Sequence, residues 1–213
     1  MNSFPNFSGY RSFFAVLLLV LASFETIAQE DTEKWKMQIS LGINNPIDDN
    51  TIFETNSLNF PAVNLGVQHM FSRELGAKLD FGFYRSKNSD DSPDFKLNYS
   101  RVNAQLVYDI SNRLLFIPDT WALIGHVGPG LSFSKPLNNY SDNKYTFLNV
   151  LGGLEIHYRL SEALSVYSDI GYVLSLSGDD KYDPLVDGFS FNDNLMYVTF
   201  GVSVSLSGCQ HCD

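Results

Sequence analysis

Apolar and polar residues alternate along most of this chain, from Trp35 to Leu206. The alternation falls into runs of about ten residues, and a period of two is typical of β-strands with one apolar and one polar face. The pattern predicts eight strands: Trp35–Asn44, Ala62–Phe71, a third beginning at Leu75, Leu97–Ile110, Thr120–Ser134, Thr146–Leu160, Leu164–Leu176 and Leu195–Leu206.

The two faces of the predicted strands differ in charge. The apolar face carries no Asp, Glu, Lys or Arg, as expected of a surface in lipid, where a charge at the bilayer midplane costs about 2–4 kcal/mol. A soluble barrel would invert this pattern. The chain is therefore predicted to be all-β, an eight-stranded antiparallel up-and-down transmembrane β-barrel. Its polar face supplies a predicted lumen ion-pair network of Lys36, Lys78, Asp80, Arg101, Asp109, Glu155, Arg159 and Asp169.

The strand number limits what the lumen can do. An eight-stranded barrel is just wide enough for its interior to be filled by side chains, so we expect a plug of salt bridges and hydrogen bonds and no open pore. Inward-facing glycines leave room for the long charged side chains. Because proline cannot donate to the sheet ladder, a β-bulge is expected at Gly128-Pro129-Gly130.

Long and short connections alternate between the strands. The long ones are Asn45–Phe60, Ser86–Lys96, Lys135–Tyr145 and Ser177–Asn194, and the other three are short, or moderate for Ser111–Asp119. Outer-membrane barrels have short periplasmic turns and long external loops, so both termini are expected in the periplasm of a Gram-negative bacterium.

The first residues are typical of a secretory signal. Arg11 precedes the apolar run Phe13–Phe24, and Thr26-Ile27-Ala28 offers small residues at the cleavage positions, so cleavage is expected after Ala28. The predicted organisation is a signal peptide (1–28), an N-terminal periplasmic segment (29–34), the barrel (35–206) and a C-terminal tail (207–213).

The net charge of −10 argues against a nucleic-acid partner, which would need a basic surface. Many of the acids lie in the long loops, where a solvated rim is the favoured interpretation. The alternative is a cation-binding loop, because hard cations such as Ca²⁺ prefer clustered oxygens. Its candidate ligands are Asp179, Asp180, Asp183 and Asp187, although their spacing does not match an EF-hand. No other metal site and no cofactor are predicted.

Three segments carry a resemblance to a known family: His126–Phe133, Gly152–Ser161 and the closing Asp187–Ser203. On these segments the chain resembles the OmpA-like outer-membrane β-barrel proteins, in the form common among Bacteroidetes. The resemblance spans Trp35 to Leu206. It implies a membrane barrel and no particular activity.

Two sequence features invite a chemical interpretation. Cys209 and Cys212 form a C-x-x-C tail, for which an unstructured tail or a local disulfide is favoured over a redox or zinc site. His126 with Ser132 is a weak candidate for an enzyme, since some small outer-membrane barrels modify lipids, but a histidine satisfied by hydrogen bonds inside the barrel is favoured. No established catalytic motif is found in the sequence.

The favoured function is therefore non-enzymatic: a structural or surface-interaction barrel that presents acidic loops. A lipid-modifying enzyme and an accessory subunit of a secretion or transport machine are the alternatives. The expected partners are outer-membrane lipid and an extracellular ligand or membrane-complex partner that the sequence does not identify.

Overall fold

Consecutive strands pair to form a closed sheet. The structure, a computed structural model, describes residues 35–47, 52–114, 116–176 and 189–206. Each strand pairs antiparallel with its neighbours in the chain, and the first pairs with the last, which confirms the predicted eight-stranded barrel. The strands are β1 (Trp35–Ile47), β2 (Asn59–Met70), β3 (Leu75–Lys87), β4 (Lys96–Asp109), β5 (Trp121–Pro136), β6 (Tyr145–Arg159), β7 (Leu164–Ser175) and β8 (Asn194–Ser205).

The two shortest connections lie at one end of the barrel, together with one of intermediate length. Connections 71–74, 110–120 and 160–163 lie at one end, here called the turn end, together with the start of β1 and the end of β8. Connections 48–58, 88–95, 137–144 and 176–193 lie at the opposite, loop end. Short 3₁₀ turns form at Ser111–Arg113 and Asn138–Tyr140. Within the described ranges, no helix is long and apolar enough to cross a membrane.

Side chains alternate between the outside and the inside along every strand. In β3, Leu79 points outward and is 60% exposed, whereas the adjacent Asp80 points inward and is 4% exposed. The outward Leu, Ile, Val and aromatic residues form an apolar band around the barrel. Such a large exposed apolar surface is the one that lipid would cover.

Several strands are longer than the sequence predicts at the loop end. β3 continues to Lys87, β4 begins at Lys96 and β5 continues to Pro136. The outer face of these extensions carries Lys and Arg residues, whereas the outer face of the shorter predicted strands carries none. Backbone pairing does not require apolar side chains, so the hairpins continue past the apolar band.

The β-bulge expected at Gly128-Pro129-Gly130 is not formed, and that prediction is wrong. Asn103 pairs with Gly130 and Leu106 pairs with Val127, so the register is the same on both sides of the proline. Only the β4–β5 pairing at the two intervening residues is missing. The sheet accommodates the absent proline donor by this local gap, without an extra residue.

A register shift occurs instead between β1 and β2. Gly42 pairs with Ala62, but Asn44 pairs with Asn59, so β2 has one more residue than β1 in this interval. The extra residue lies in the Phe60–Pro61 segment, near the loop end.

Candidate functional site: the barrel interior

One buried carboxylate joins three strands near the middle of the lumen. Lys78 Nζ lies 2.5 Å from Glu155 Oε1, across the barrel from β3 to β6. Gln38 Nε2 donates to Glu155 Oε2 at 3.0 Å, and His157 Nε2 lies 2.6 Å from the same oxygen. Glu155 therefore has a charged partner and further hydrogen bonds, as a buried ion requires.

A second centre is formed by Arg101, which is fully buried. Its guanidinium forms an ion pair with Asp80. Arg101 Nε donates to the Tyr84 hydroxyl at 2.9 Å, and its terminal nitrogens donate to the side-chain oxygens of Asn103 at 3.1 Å and Asn64 at 3.3 Å. These bonds use the fixed fork of guanidinium donors and connect β2, β3 and β4.

Asp169 forms a third centre. Its Oδ1 lies 3.0 Å from His126 Nε2, and its Oδ2 accepts a hydrogen bond from the Tyr197 hydroxyl at 3.1 Å. The Arg101 guanidinium lies over the Tyr197 ring, 5.2 Å from its centroid. The second and third centres are therefore in contact through one tyrosine ring.

The eight residues of the predicted lumen network differ in burial and in their position along the barrel. Lys78, Asp80, Arg101, Glu155 and Asp169 are all buried in the three centres. The other three lie near the turn end, where the lumen approaches solvent: Lys36, Asp109 and Arg159. Among the described residues these three form no ion pair within 4.0 Å; the Asp109 carboxylate instead accepts a hydrogen bond from the Ser111 backbone N–H.

Two inward glycines leave the space that the large side chains occupy. A Cβ added at Gly171 would lie 2.2 Å from the Tyr197 ring, and one at Gly153 would lie 2.5 Å from His126 Nε2. Both distances are far below van der Waals contact. Tyr197 and His126 can therefore occupy their positions only because the neighbouring residues are glycines.

The weak candidate pair of His126 and Ser132 is not formed. His126 bonds to Asp169, whereas Ser132 Oγ lies 2.5 Å from the Tyr99 hydroxyl and accepts from Asn149 Nδ2 at 2.8 Å. The two residues lie six positions apart on β5, roughly 20 Å at the rise of an extended strand. The serine therefore has no nearby base.

Aromatic rings close the loop end of the lumen. Each of the four loop-end connections contributes one ring, from Phe53, Phe95, Tyr140 and Phe189, and we call these four residues the aromatic cap. Phe95 stacks on Phe189 with 3.8 Å between ring centroids, and the Phe53 ring lies 5.6 Å from Phe189 and 5.5 Å from Tyr140.

The lumen below the cap is also apolar, which corrects the expectation of an interior filled only by salt bridges and hydrogen bonds. The cap residues share a buried cluster with inward residues of the strands. A sequence signal for this exists in β4, where Leu97 and Tyr99 point inward while Asn98 and Ser100 are only partly buried. The inward members are Ala62, Tyr84, Leu97, Tyr99, Phe147, Leu151, Val173, Leu195 and Tyr197, with Phe191 beside them.

A surface contact joins two connections at the turn end. Arg113 lies 3.1 Å from Glu74, which also accepts a hydrogen bond from the Tyr108 hydroxyl at 2.8 Å. The Tyr108 hydrogen bond and then the Arg113 contact lower the pKa of the Glu74 carboxyl below its usual value.

One group of described residues has the donor atoms of a metal site. His126, Glu155 and Asp169 each bring one ligand atom within 4.8 Å of the others. However, the Lys78 ammonium contacts Glu155, and a positive charge at that position opposes binding of a cation. The proposed cation ligands Asp179, Asp180, Asp183 and Asp187 lie outside the described residues, as do the signal segment and the tail with Cys209 and Cys212.

Comparison with known proteins places this barrel among outer-membrane proteins. The family model described as "Outer membrane protein beta-barrel domain" matches residues 14–207. No curated protein sequence matches the chain. The family predicted from the sequence is thereby confirmed at the level of outer-membrane barrels, and the Bacteroidetes form stays a prediction.

Solved structures share the fold at low sequence identity. Neisserial surface protein A is similar with a TM-score of 0.58 and 12% identity, over 80% of this chain and 96% of that one. A major outer membrane protein of Thermus thermophilus gives 0.55 and 15%, over 80% and 98%. Ail, the attachment invasion locus protein of Yersinia pestis, gives 0.50 and 14%, over 81% and 98%. At such identities the likeness shows the fold alone.

Proposed function

Because the chain belongs to the family of outer membrane protein β-barrel domains, we propose that it is a structural and surface-interaction barrel of the outer membrane. The observation that carries this proposal is the filled interior. Three hydrogen-bonded charge centres occupy the middle of the lumen, and the aromatic cap closes its loop end. The surfaces left for a function are the loops and the lipid-facing wall.

The orientation in the proposal follows from the connections. Outer-membrane barrels carry short turns on the periplasmic side and long loops outside the cell. The short connections 71–74 and 160–163 lie at the same end as the start of β1 and the end of β8. In the proposed orientation this turn end faces the periplasm, with both termini, and the loop end faces the surroundings of the cell.

The described part of the loops is ordered by contacts with the barrel and with other loops. Thr55 forms an isolated β-bridge with Asn88, and the Ser89 N–H donates to the Glu54 carbonyl at 2.8 Å. The cap holds the same connections from inside. A fixed, acidic rim of this kind suits recognition of a basic or cationic extracellular partner.

The positions of the buried histidines also favour a binding or structural role over catalysis. His126 and His157, the histidines that contact acids, are both buried inside the lumen, beneath the cap. His157 Nδ1 lies 3.3 Å from Ser165 Oγ, but this serine is at the start of β7, toward the turn end, and within the described chain neither histidine has a serine or cysteine beside it at the loop-end mouth. The favoured role is therefore binding or structural.

Site-directed labelling in whole cells tests the proposed orientation. Cys209→Ser and Cys212→Ser provide a background without native thiols, into which Asp142→Cys at the loop end or Arg73→Cys at the turn end is introduced. A membrane-impermeant maleimide is expected to label Asp142→Cys in intact cells. It should label Arg73→Cys only after the outer membrane has been permeabilised.

Membrane assembly is checked in the same samples by SDS gel mobility with and without boiling. A faster unboiled band in the outer-membrane fraction is the expected sign of a folded barrel. The reverse labelling pattern would contradict the orientation, and a soluble periplasmic protein with no mobility shift would contradict the membrane role.

A further inference from the structure

Four bases cluster on the outer wall at the loop end of three adjacent strands. Arg85 of β3 pairs with Asn98 of β4, and Asn98 pairs with Lys135 of β5, so the three form one row across the sheet. In the next row Lys87 pairs with Lys96. Arg85, Lys87, Lys96 and Lys135 are all exposed, and we call them the basic patch.

The patch lies directly beyond the apolar band. The row below it consists of Phe83, Ser100 and Phe133, which pair with one another across the same three strands. The Arg85 guanidinium lies 5.9 Å from the centroid of the Phe83 ring. In outer-membrane barrels, girdles of aromatic residues flank the apolar band at the membrane–water interfaces, so bases one row further out are at the level of lipid headgroups.

The charges of the patch are not balanced by the described protein. No described acid lies within ion-pair distance of any of the four bases, and Arg85 Nε donates to the neutral side chain of Asn98 at 2.9 Å. Like charges placed directly opposite each other, such as Lys87 and Lys96, destabilise a sheet. A chain with a net charge of −10 nevertheless concentrates four of its 14 Lys and Arg residues here.

The acids of the same hairpin do not lie in this wall. Asp90, Asp91 and Asp94 belong to connection 88–95, beyond Lys87 and Lys96 and further from the apolar band. The wall therefore presents positive charge next to the bilayer, while the loops above it present negative charge. An anionic group that approaches from the membrane meets the bases first.

We propose that the basic patch binds the phosphate groups of a phosphorylated lipid headgroup in the outer leaflet. Arg85 can offer paired N–H donors to one phosphate, and the three lysines supply point charges around it. The acyl chains of that lipid would run along the apolar band below Phe83 and Phe133. This inference rests on the orientation proposed above, because only that orientation brings the loop end to the outer leaflet.

Lipid binding to the purified, refolded full-length barrel tests the inference. The probes are a bis-phosphorylated glucosamine-disaccharide lipid and the same lipid without its phosphates, titrated into detergent-solubilised protein and counted by native mass spectrometry. The native protein is expected to prefer the phosphorylated form. The variant Arg85→Gln/Lys87→Gln/Lys96→Gln/Lys135→Gln should bind it at least about tenfold more weakly, as the sum of several exposed charge contacts.

A matched control distinguishes the effect of the basic patch from the effect of the protein's net charge. Lys87→Gln/Lys96→Gln removes two positive charges from the patch, and Arg73→Gln/Arg113→Gln removes two exposed ones from the turn end. Only the first pair should weaken binding, and the boiled-versus-unboiled mobility shift verifies that every variant is folded. Higher salt should weaken binding to the native protein and have little effect on the quadruple variant.

Three results would overturn the inference. The native protein could bind the lipid with and without phosphates equally well, or the turn-end control Arg73→Gln/Arg113→Gln could weaken binding as much as Lys87→Gln/Lys96→Gln does. Alternatively, millimolar inorganic phosphate could displace the bound lipid completely. The last would show a phosphate site without preference for a lipid. Failure of the proposed orientation is read separately, from the labelling in whole cells. Lipid binding with the expected specificity but reversed labelling would retain the site and refute the orientation.

Discussion

Arg101 shows how single side chains hold the interior together. It has no exposed surface, pairs with Asp80, and donates hydrogen bonds to groups on β2, β3 and β4. Such an ion is tolerated inside the barrel only while its partners are present, because a lone buried charge is strongly destabilising. The interior is therefore sensitive to loss of one member of a pair.

Truncation of Arg101 is the direct test of this dependence. Arg101→Ala leaves Asp80 without its ion-pair partner, and we expect a loss of about 3–5 kcal/mol in the free energy of unfolding. The control is Arg113→Ala, which removes the exposed partner of Glu74 and should have little effect. Urea unfolding in detergent, followed by the heat-dependent mobility shift, measures both. Equal stability of the two variants would contradict the proposed role of Arg101.

A glycine test addresses packing without changing charge. Gly171→Ala would place a Cβ 2.2 Å from the Tyr197 ring, so we expect a loss of roughly 1–3 kcal/mol from overpacking. In the control Gly125→Ala the new Cβ would have its nearest neighbour 3.7 Å away, at Ile110. The same urea assay compares them. A native-like midpoint for Gly171→Ala would show that the Tyr197 ring can move aside.

The sequence predicts which side chains point inward but not which of them pair. Alternation assigns Lys78, Asp80 and Glu155 to the lumen. It does not show that Lys78 contacts Glu155 across the barrel, while the nearby Asp80 pairs with Arg101. Those choices depend on the tilt and stagger of the closed sheet, which a pattern along one strand does not contain.

At the scale of the elements, β4 changes character along its length. From Val102 toward the turn end its outward residues are largely apolar and many inward ones are polar, whereas Leu97 and Tyr99 point inward beside polar Asn98 and Ser100. This reversal marks where the apolar band ends and the apolar interior below the cap begins. The alternation with a period of two is visible in the sequence. That the inward face changes from polar to apolar near Tyr99 can be recognised only once it is known where along β4 the outer apolar band ends.

A charge placed within the apolar band tests its position. Leu79→Arg puts a charge on the outward face in the middle of β3, and we expect a loss of about 2–4 kcal/mol, with much less folded protein in the outer-membrane fraction. Leu58→Arg, the same change next to β2 at the loop end, should be tolerated because the cost falls near the interface. Quantifying the unboiled band measures the yield. Normal yield of Leu79→Arg would mean that the face does not contact lipid.

The aromatic cap is the feature that sequence periodicity could least predict. Its rings come from four connections, and nothing in a loop sequence shows that its aromatic residue folds inward. Phe189→Ala should remove contacts with Phe53 and Phe95, and the loops should become more sensitive to protease while the barrel remains folded. Phe116→Ala, at a side chain that is 81% exposed in the turn-end connection 110–120, is the control. Unchanged cleavage of Phe189→Ala would contradict a restraining role for the cap.

For the whole molecule, the decisive property is that two separate layers of side chains fill the interior, one polar and one apolar. The polar centres occupy the middle of the lumen, and the cap with its apolar cluster occupies the loop end. Strand number alone predicts a filled interior, because eight strands leave room for side chains and little else. The apolar nature of the second seal comes only from the structure.

Conductance in planar bilayers tests both seals together. The native barrel is expected to show low or no steady current. The variant Phe53→Ala/Phe189→Ala opens the cap but leaves the contacts of Lys78, Glu155 and Arg101 in place, so it should stay closed as well. If the native protein carried a large steady current, the filled lumen would be refuted. If only the cap variant conducted, the polar centres would be permeable, and the aromatic cap alone would close the barrel.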